Sequence, residues 1–150
     1  DQPVFHAAPG EPLAPLVRRD PAASVSYGDS RLVTAEDGTH HLLFNAFQHL
    51  TLPDQELAVA STRDFRRWRV HGRAFATTAD RDRDVIPEKA PWRFPHPAVV
   101  TRLDGDRLVA ARIGGRYWMY LNCLSTVGAP CLCAATSDDL RDWKIVRSPD

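Results

Sequence analysis

The fold of this chain is decided by Leu132–Ile145, which reads LCAATSDDLRDWKI. Small and apolar residues open this stretch, a polar turn follows, and a short strand begins at Trp143. The same order of residue types occurs 75 positions earlier at Leu57–Val70, which reads LAVASTRDFRRWRV. The leucine, the turn aspartate and the tryptophan recur at one constant offset, and such self-similarity indicates an internal structural repeat.

A second pair of matching segments precedes these two copies. Gly38–Asn45 (GTHHLLFN) corresponds to Gly115–Asn122 (GRYWMYLN) at an offset of 77 residues. Side chains alternate along a strand, so the second segment places apolar or aromatic residues on both of its faces. That pattern suits a strand covered on two sides by stacked sheets. Two strand patterns in the same order therefore predict a repeated strand–turn–strand unit.

The turn in each copy carries an aspartate, Asp64 in the first and Asp139 in the second. Asp, Ser and Thr side chains at turns bond the backbone amides that follow them. We therefore predict that both aspartates are turn formers and not catalysts.

Composition restricts the classes of function. The chain has 150 residues, of which 43% are hydrophobic and 25% are charged, and this is enough for one globular core. Its formal net charge is zero and its basic residues are dispersed, so we expect neither nucleic acid nor a membrane as a partner. No apolar run approaches the roughly 20 residues of a membrane span. No secretory leader pattern opens the chain.

The three cysteines are Cys123, Cys131 and Cys133. Cys131 and Cys133 would share one face of a strand at a separation of about 6.5–7 Å, which disfavours a bridge between them. We therefore expect buried thiols in a reducing compartment, and hence a cytoplasmic protein. No Cys or His quartet has zinc spacing, so no metal and no other cofactor is expected.

The chain contains many short strand patterns and no helix pattern of any length, which predicts an all-β fold of the β-propeller or stacked-sheet type. We expect residues 1–24 to form an irregular, proline-rich N-terminal segment. Residues 25–150 would then form a partial propeller, with repeat units at about 25–75 and 98–150.

Three motifs carry a resemblance to a known group. ASTRDFRRW at Ala60–Trp68 recurs as ATSDDLRDW at Ala135–Trp143, Arg112–Tyr120 reads RIGGRYWMY, and Tyr27–Leu32 reads YGDSRL. In this order they resemble the five-bladed β-propeller glycosidases of glycoside hydrolase families 43, 32 and 130, and family 130 most of all. In that family the last two motifs are written Lys-Ile-x-Gly-Lys-Tyr-x-Met and Glu-Asp-Pro-Arg-Ile/Leu.

The resemblance covers roughly residues 25–147 and implies a glycoside hydrolase or a glycoside phosphorylase that acts on an oligosaccharide. A complete five-bladed propeller is about twice as long as this chain, so the resemblance implies only about two to three blades. We therefore expect the chain to be a fragment of a larger enzyme. For a phosphorylase, inorganic phosphate would be the co-substrate.

The resemblance also implies site residues. Asp29 corresponds to the catalytic aspartate of family 130, which acts as general acid, and Arg31 would bind substrate or phosphate from the same face of the strand. Asp106 and Arg107 match the start of the second repeat, where the family carries sugar- or phosphate-contacting residues. For Asp29 the alternative is a plain turn cap beside Arg31, and for Asp106 it is a plain hairpin turn.

Two residues of a second proline-rich stretch, which contains Pro91, Pro95 and Pro97, complete the predicted substrate contacts. His96 could line the central funnel, and Trp92 could stack on a sugar ring; the alternative for both is a structural role in the loop. One departure from the family motif favours a different function. Gly28 and Ser30 stand where the family has Glu and Pro. The rival interpretations are therefore a non-catalytic propeller module that binds carbohydrate or protein, and a truncated pseudoenzyme. The oligomeric state cannot be predicted from these motifs.

Overall fold

A computed structural model describes residues 26–47, 56–75, 96–124 and 130–146. These residues form strands and turns without a helix, so the predicted all-β class is confirmed for them. No helix in this part of the chain is long and apolar enough to cross a membrane. The predicted irregular segment 1–24 lies outside the described residues. The strands are β1 (Ser26–Thr34), β2 (His40–Phe47), β3 (Glu56–Thr62), β4 (Arg69–Arg73), β5 (Ala98–Val99), β6 (Thr101–Asp104), β7 (Arg107–Ala110), β8 (Arg112–Ile113), β9 (Arg116–Leu124), β10 (Pro130–Ser137) and β11 (Trp143–Ile145).

Each repeat forms four antiparallel strands that are hydrogen-bonded side by side, and we call these two sets of strands the first and the second blade. The first blade has the order β4-β3-β2-β1, and the second has the order β11-β10-β9-β5. The first strand of each blade in chain order, β1 or β5, is called its inner strand. The last strand, β4 or β11, lies at the opposite end of the blade. The matching order follows from the matching sequence patterns, because β2 and β9 carry one repeated segment and β3 and β10 carry the other.

A hairpin leaves the second blade and extends the first. β6 and β7 pair with each other, and β7 runs parallel to β1, with Val109 opposite Thr34. The chain leaves the strand conformation at Val100, between β5 and β6, and at Ala111, between β7 and β8. The reason is a change of sheet: Val100 donates its N–H to Trp118 at 2.8 Å, while its carbonyl accepts the N–H of Ala111 at 2.9 Å.

The hydrophobic core includes buried side chains from both blades. Leu43 and Val59 of the first blade belong to it, and so do Met119 and Trp143 of the second. A backbone hydrogen bond also joins the blades, because Trp143 donates its N–H to the carbonyl of Ala74 at 2.8 Å. Burial of these apolar side chains is the main stabilising term for such a pair of sheets.

The other face of the second blade is open among the described residues. Tyr120 is 44% exposed and Leu132 is 69% exposed. The expectation that the GRYWMYLN strand is covered on both sides is therefore met on one side only. Apolar residues on both faces of a strand show that it suits coverage, but they do not show that a neighbour is present.

The two turns have the same hydrogen bonds, which confirms that their aspartates are turn formers. In the first turn, the Asp64 carboxylate accepts the backbone N–H groups of Arg66 and Arg67 at 2.9 and 2.8 Å. In the second turn, the Asp139 carboxylate accepts those of Arg141 and Asp142 at 2.9 and 3.0 Å. The residue after each aspartate has left-handed backbone: φ is 55° at Phe65 and 65° at Leu140.

The expectation of reduced thiols is wrong for one cysteine. Cys133 is disulfide-bonded, whereas Cys131 is free. The prediction considered only a bridge between Cys131 and Cys133 along one strand and left contacts across strands out. Disulfides persist in oxidising compartments, so the thiol argument for a cytoplasmic location does not hold.

Candidate functional site

Asp29 lies in a β-bulge of the inner strand β1. Gly28 pairs with Asn45, but the next pair is Arg31 with Leu43, so β1 has one residue more than β2 at this point. Asp29 is one of the two β1 residues between these pairs, against a single residue on β2, and its φ of 48° is left-handed. Bulges re-aim side chains and occur often beside active sites. A non-glycine residue held at positive φ stores strain, which is a frequent feature of functional positions.

The bulge changes the position predicted for Arg31. The sequence argument placed Arg31 on the same face as Asp29, because two residues along a regular strand bring a side chain back to one face. The inserted residue breaks that alternation, so the spacing no longer implies a shared face. Arg31 is exposed, and its Nη1 donates to the carbonyl of Ser30 at 3.0 Å.

The residue register shows which position in the second blade is equivalent to that of the predicted acid. Leu32 of β1 pairs with Leu42 of β2, and Val99 of β5 pairs with Met119 of β9. Met119 is the repeat counterpart of Leu42, 77 residues later. Three residues before Leu32 is the predicted acid, and three residues before Val99 is His96. His96 thus lies level with the bulge of β1, and we call it the counterpart of Asp29, although the extra residue of the bulge leaves Gly28 in strict register with it.

His96 also shares the unusual backbone of its counterpart. Its φ is 58°. The buried Pro97 follows it directly, and a proline restricts the conformation of the residue before it. A non-glycine residue in left-handed conformation thus lies within β1 and another lies just before β5, and both of these residues carry an ionisable side chain.

The two counterparts contact each other through their side chains. Nδ1 of His96 lies 3.3 Å from Oδ1 of Asp29. The other carboxylate oxygen, Oδ2, accepts a hydrogen bond of 3.3 Å from Nδ2 of Asn45. The side chains of Asp29 and His96 are 37% and 51% exposed, so the pair is accessible to a ligand. The structure thus brings together two residues that the sequence singled out separately, and their roles as acid and substrate contact stay predictions.

Asn45 is the residue that the sequence reasoning missed. It is completely buried on β2, and its Oδ1 has no hydrogen-bond partner among the described residues. A signal was present, because Asn45 and Asn122 end the repeated GTHHLLFN and GRYWMYLN segments. What the sequence could not show is that β2 lies beside the bulge and that Asn45 is opposite Gly28.

The remaining predicted site residues are placed differently. Asp106 and Arg107 are exposed at the turn between β6 and β7, in the hairpin that joins the first sheet. Their predicted role in substrate binding is untested. Trp92 lies outside the described residues.

Two further histidines lie away from this pair. His41 is buried, and its burial together with the charge of the nearby His71 lowers its pKa from 6.5 to about 4. Burial also lowers the pKa of His71, whose Nε2 lies 2.7 Å from Oγ of Ser61. The charge of Arg141 lowers the pKa of both imidazoles, and that of Asp139 raises it. Both histidines therefore lie where the first blade meets the turn of the second. Their surroundings favour the neutral form and a structural role.

Comparison with solved structures finds the same architecture in glycosidases. A protein from Parabacteroides distasonis assigned as a glycoside hydrolase shares 30% sequence identity, with a TM-score of 0.59 over 81% of this chain and 31% of that one. One from Bacteroides ovatus, assigned in the same way, shares 31% identity, with a TM-score of 0.56 over 78% of this chain and 30% of that one.

A further match comes from glycoside hydrolase family 130, a family of mannoside phosphorylases that contains glycoside hydrolases targeting β-1,2-mannosidic linkages in Candida mannan. It shares 24% identity, with a TM-score of 0.62 over 81% of this chain and 30% of that one. No protein-family model and no curated protein matches the chain.

These comparisons confirm the predicted fold. The chain has the β-propeller fold of the five-bladed glycosidases and carries part of it. It spans about 30% of the length of the structures that it matches.

Proposed function

We propose that the chain supplies the general-acid part of an active site that cleaves glycosidic bonds in an oligosaccharide. The observation that carries this proposal is the position of Asp29. Its carboxyl group lies in a bulge of an inner strand, partly exposed, with one oxygen near His96 and the other bonded to Asn45. The family resemblance implies catalytic carboxylates on the inner strands around the central funnel, and a partly exposed carboxyl group on β1 fits that expectation.

The chemistry requires an acid on one side of the bond. In our proposal the carboxylic acid form of Asp29 donates its proton to the leaving oxygen as the bond to the anomeric carbon breaks, and Asp29 becomes a carboxylate. The attacking group on the other face is a water activated by a second carboxylate, or inorganic phosphate. We assign neither the second carboxylate nor a phosphate-binding site to the described residues.

The neighbours of Asp29 fit a sugar-binding site. Gly28 and Ser30 flank it with minimal side-chain volume, which leaves room for a ring beside the carboxyl group. The half-exposed His96 can bond a hydroxyl group with the nitrogen that does not face Asp29. We propose Arg31, Asp106, Arg107 and Trp92 as further substrate contacts on the strength of the family resemblance alone.

A non-catalytic module that binds carbohydrate is the second candidate. The observation that favours it is the replacement of the Glu and Pro of the family motif by Gly28 and Ser30. A bulge that holds Asp29 as a hydrogen-bond acceptor for sugar hydroxyl groups would have the same geometry. The two candidates differ in turnover and not in binding.

Product analysis with the full-length protein that contains this chain separates these candidates. It is incubated with a panel of β-linked oligosaccharides, once in water and once with inorganic phosphate. Free sugar alone identifies a hydrolase, and a sugar phosphate that needs added phosphate identifies a phosphorylase. Binding of a panel member, measured by calorimetry, without any product over long incubation would overturn the enzymatic proposal and support the binding module.

A further inference from the structure

The hydrogen bonds of Asn45 are arranged in an unusual way. Its amide is fully buried, yet only Nδ2 is bonded, to Oδ2 of Asp29 at 3.3 Å. Oδ1 has no partner among the described residues. A buried polar atom without a hydrogen bond costs free energy, and an apolar side chain of similar shape would avoid that cost. Asn45 is therefore unfavourable for the stability of the first blade.

The one bond that Asn45 makes offers a functional reason for this cost. Asp29 is in strained left-handed backbone, and its carboxyl group can rotate about two side-chain bonds. His96 lies near Oδ1 only, and it is itself half exposed. Asn45 is rigidly buried on β2, directly opposite Gly28, so it is the fixed contact of this carboxyl group.

We propose that Asn45 is a positioning residue that fixes the orientation of the Asp29 carboxyl group through Oδ2. This inference deepens the proposed function and rests on it. Asn45 takes no part in proton transfer, because it lies behind Asp29 in the core. It holds Oδ2 in place, so that the carboxyl group keeps one orientation toward the substrate.

The repeat supplies a matched control. Asn122 is the counterpart of Asn45 in the second blade, 77 residues later, and it is exposed on β9. The inner strand beside it carries His96 in place of Asp29. A substitution at Asn122 thus changes the same residue type at the same repeat position without removing a contact to Asp29.

The test compares Asn45→Leu with Asn122→Leu in the full-length protein. For Asn45→Leu we expect kcat to fall about 10- to 100-fold while KM changes little, because a misplaced reacting group costs rate more than binding. The free energy of unfolding should be unchanged or higher, since a buried unpaired carbonyl is removed. Asn122→Leu should leave kcat, KM and stability near the wild-type values.

Two kinetic results would overturn the proposal. One is wild-type kcat in a folded Asn45→Leu protein. The other is a fall in kcat that is accompanied by a fall in the free energy of unfolding, because that pattern indicates a structural role. A high-resolution crystal structure of Asn45→Leu provides a readout independent of activity: Asp29 should occupy more than one side-chain rotamer, and a single wild-type rotamer contradicts the inference. If the wild-type protein has no turnover, the proposed function fails, while this structural readout still tests the positioning role.

Discussion

Asp29 lies in the bulge of β1 and His96 lies just before β5, and their side chains are 3.3 Å apart from Oδ1 to Nδ1. Both residues have left-handed backbone, with φ values of 48° and 58°. The fold thus brings two strained residues with ionisable side chains together, one in the bulge of β1 and one just before β5. A general acid needs such a defined, partly exposed carboxyl group.

The buried His41 predicts a loss of stability in weak acid. Its pKa is lowered from 6.5 in the unfolded chain to about 4 in the folded one. The unfolded state therefore binds more protons between these values, so stability falls as the pH drops from 6.5 toward 4. From pH 7 to pH 5 the loss is about 2 kcal/mol.

Urea unfolding of the wild-type protein and of His41→Leu at pH 7 and pH 5 measures this effect. The variant should lose most of the difference between the two pH values, and His71, whose pKa is also lowered, should account for part of the remainder. An equal loss in wild type and variant would show that His41 is not the group responsible.

The two repeated turns predict unequal effects of the same substitution. Partial burial alone would raise the pKa of Asp139, but the N–H groups of Asp142 and Arg141, together with the Arg141 side chain, lower it to about 2. Asp139→Ala leaves these amides without their acceptor and should cost about 1–3 kcal/mol at pH 7. Asp64→Ala, in the exposed turn of the first blade, should cost less.

The pH dependence of the free energy of unfolding tests this role of the Asp139 carboxylate. A lowered carboxylate pKa contributes stability above the unfolded value of 3.8, and this stability is lost as the pH falls toward 2. The difference between wild type and Asp139→Ala in urea unfolding should therefore shrink from pH 7 to pH 2.5. A difference that stays constant would show that the carboxylate charge is irrelevant to the turn.

Trp143 predicts how strongly the two blades depend on each other. Its side chain is 1% exposed, and its backbone N–H bonds Ala74 of the first blade at 2.8 Å. Trp143→Ala should destabilise the protein by about 3–5 kcal/mol, the range for large-to-small changes of an aromatic core residue. Its repeat counterpart Trp68 is only half buried, so Trp68→Ala should cost less in the same thermal or urea unfolding experiment. Equal costs would contradict the packing described above.

Much of the fold could be predicted from the sequence, because the repeat depends on local patterns. The strands β2, β3, β9 and β10 and both aspartate turns follow from alternating side chains and from turn chemistry within a few residues. The sheet change at Val100 could not be predicted in this way, since it depends on a hairpin pairing with β1. The disulfide at Cys133 was missed because neighbours across strands are not visible in a single strand pattern.

The site could be predicted only in part. Asp29 and His96 were singled out separately, yet their contact depends on the register of two different blades. The bulge that aims Asp29 depends on one extra residue relative to β2, which no local motif reveals. Asn45 was recognised only as part of a repeat, because its burial against Asp29 is a property of the folded sheet.

The central claim is that Asp29 is the acid of a glycoside-cleaving site, and one comparison tests it most directly. Turnover of a β-linked oligosaccharide, with and without phosphate, is measured for the full-length wild-type protein and for Asp29→Asn. Asp138→Asn, which removes an exposed carboxylate from the second turn, is the control. We expect Asp29→Asn to lower kcat by about 100- to 10,000-fold, which is the usual contribution of general acid catalysis. The control should keep wild-type turnover. Wild-type turnover by a folded Asp29→Asn protein would contradict the central claim.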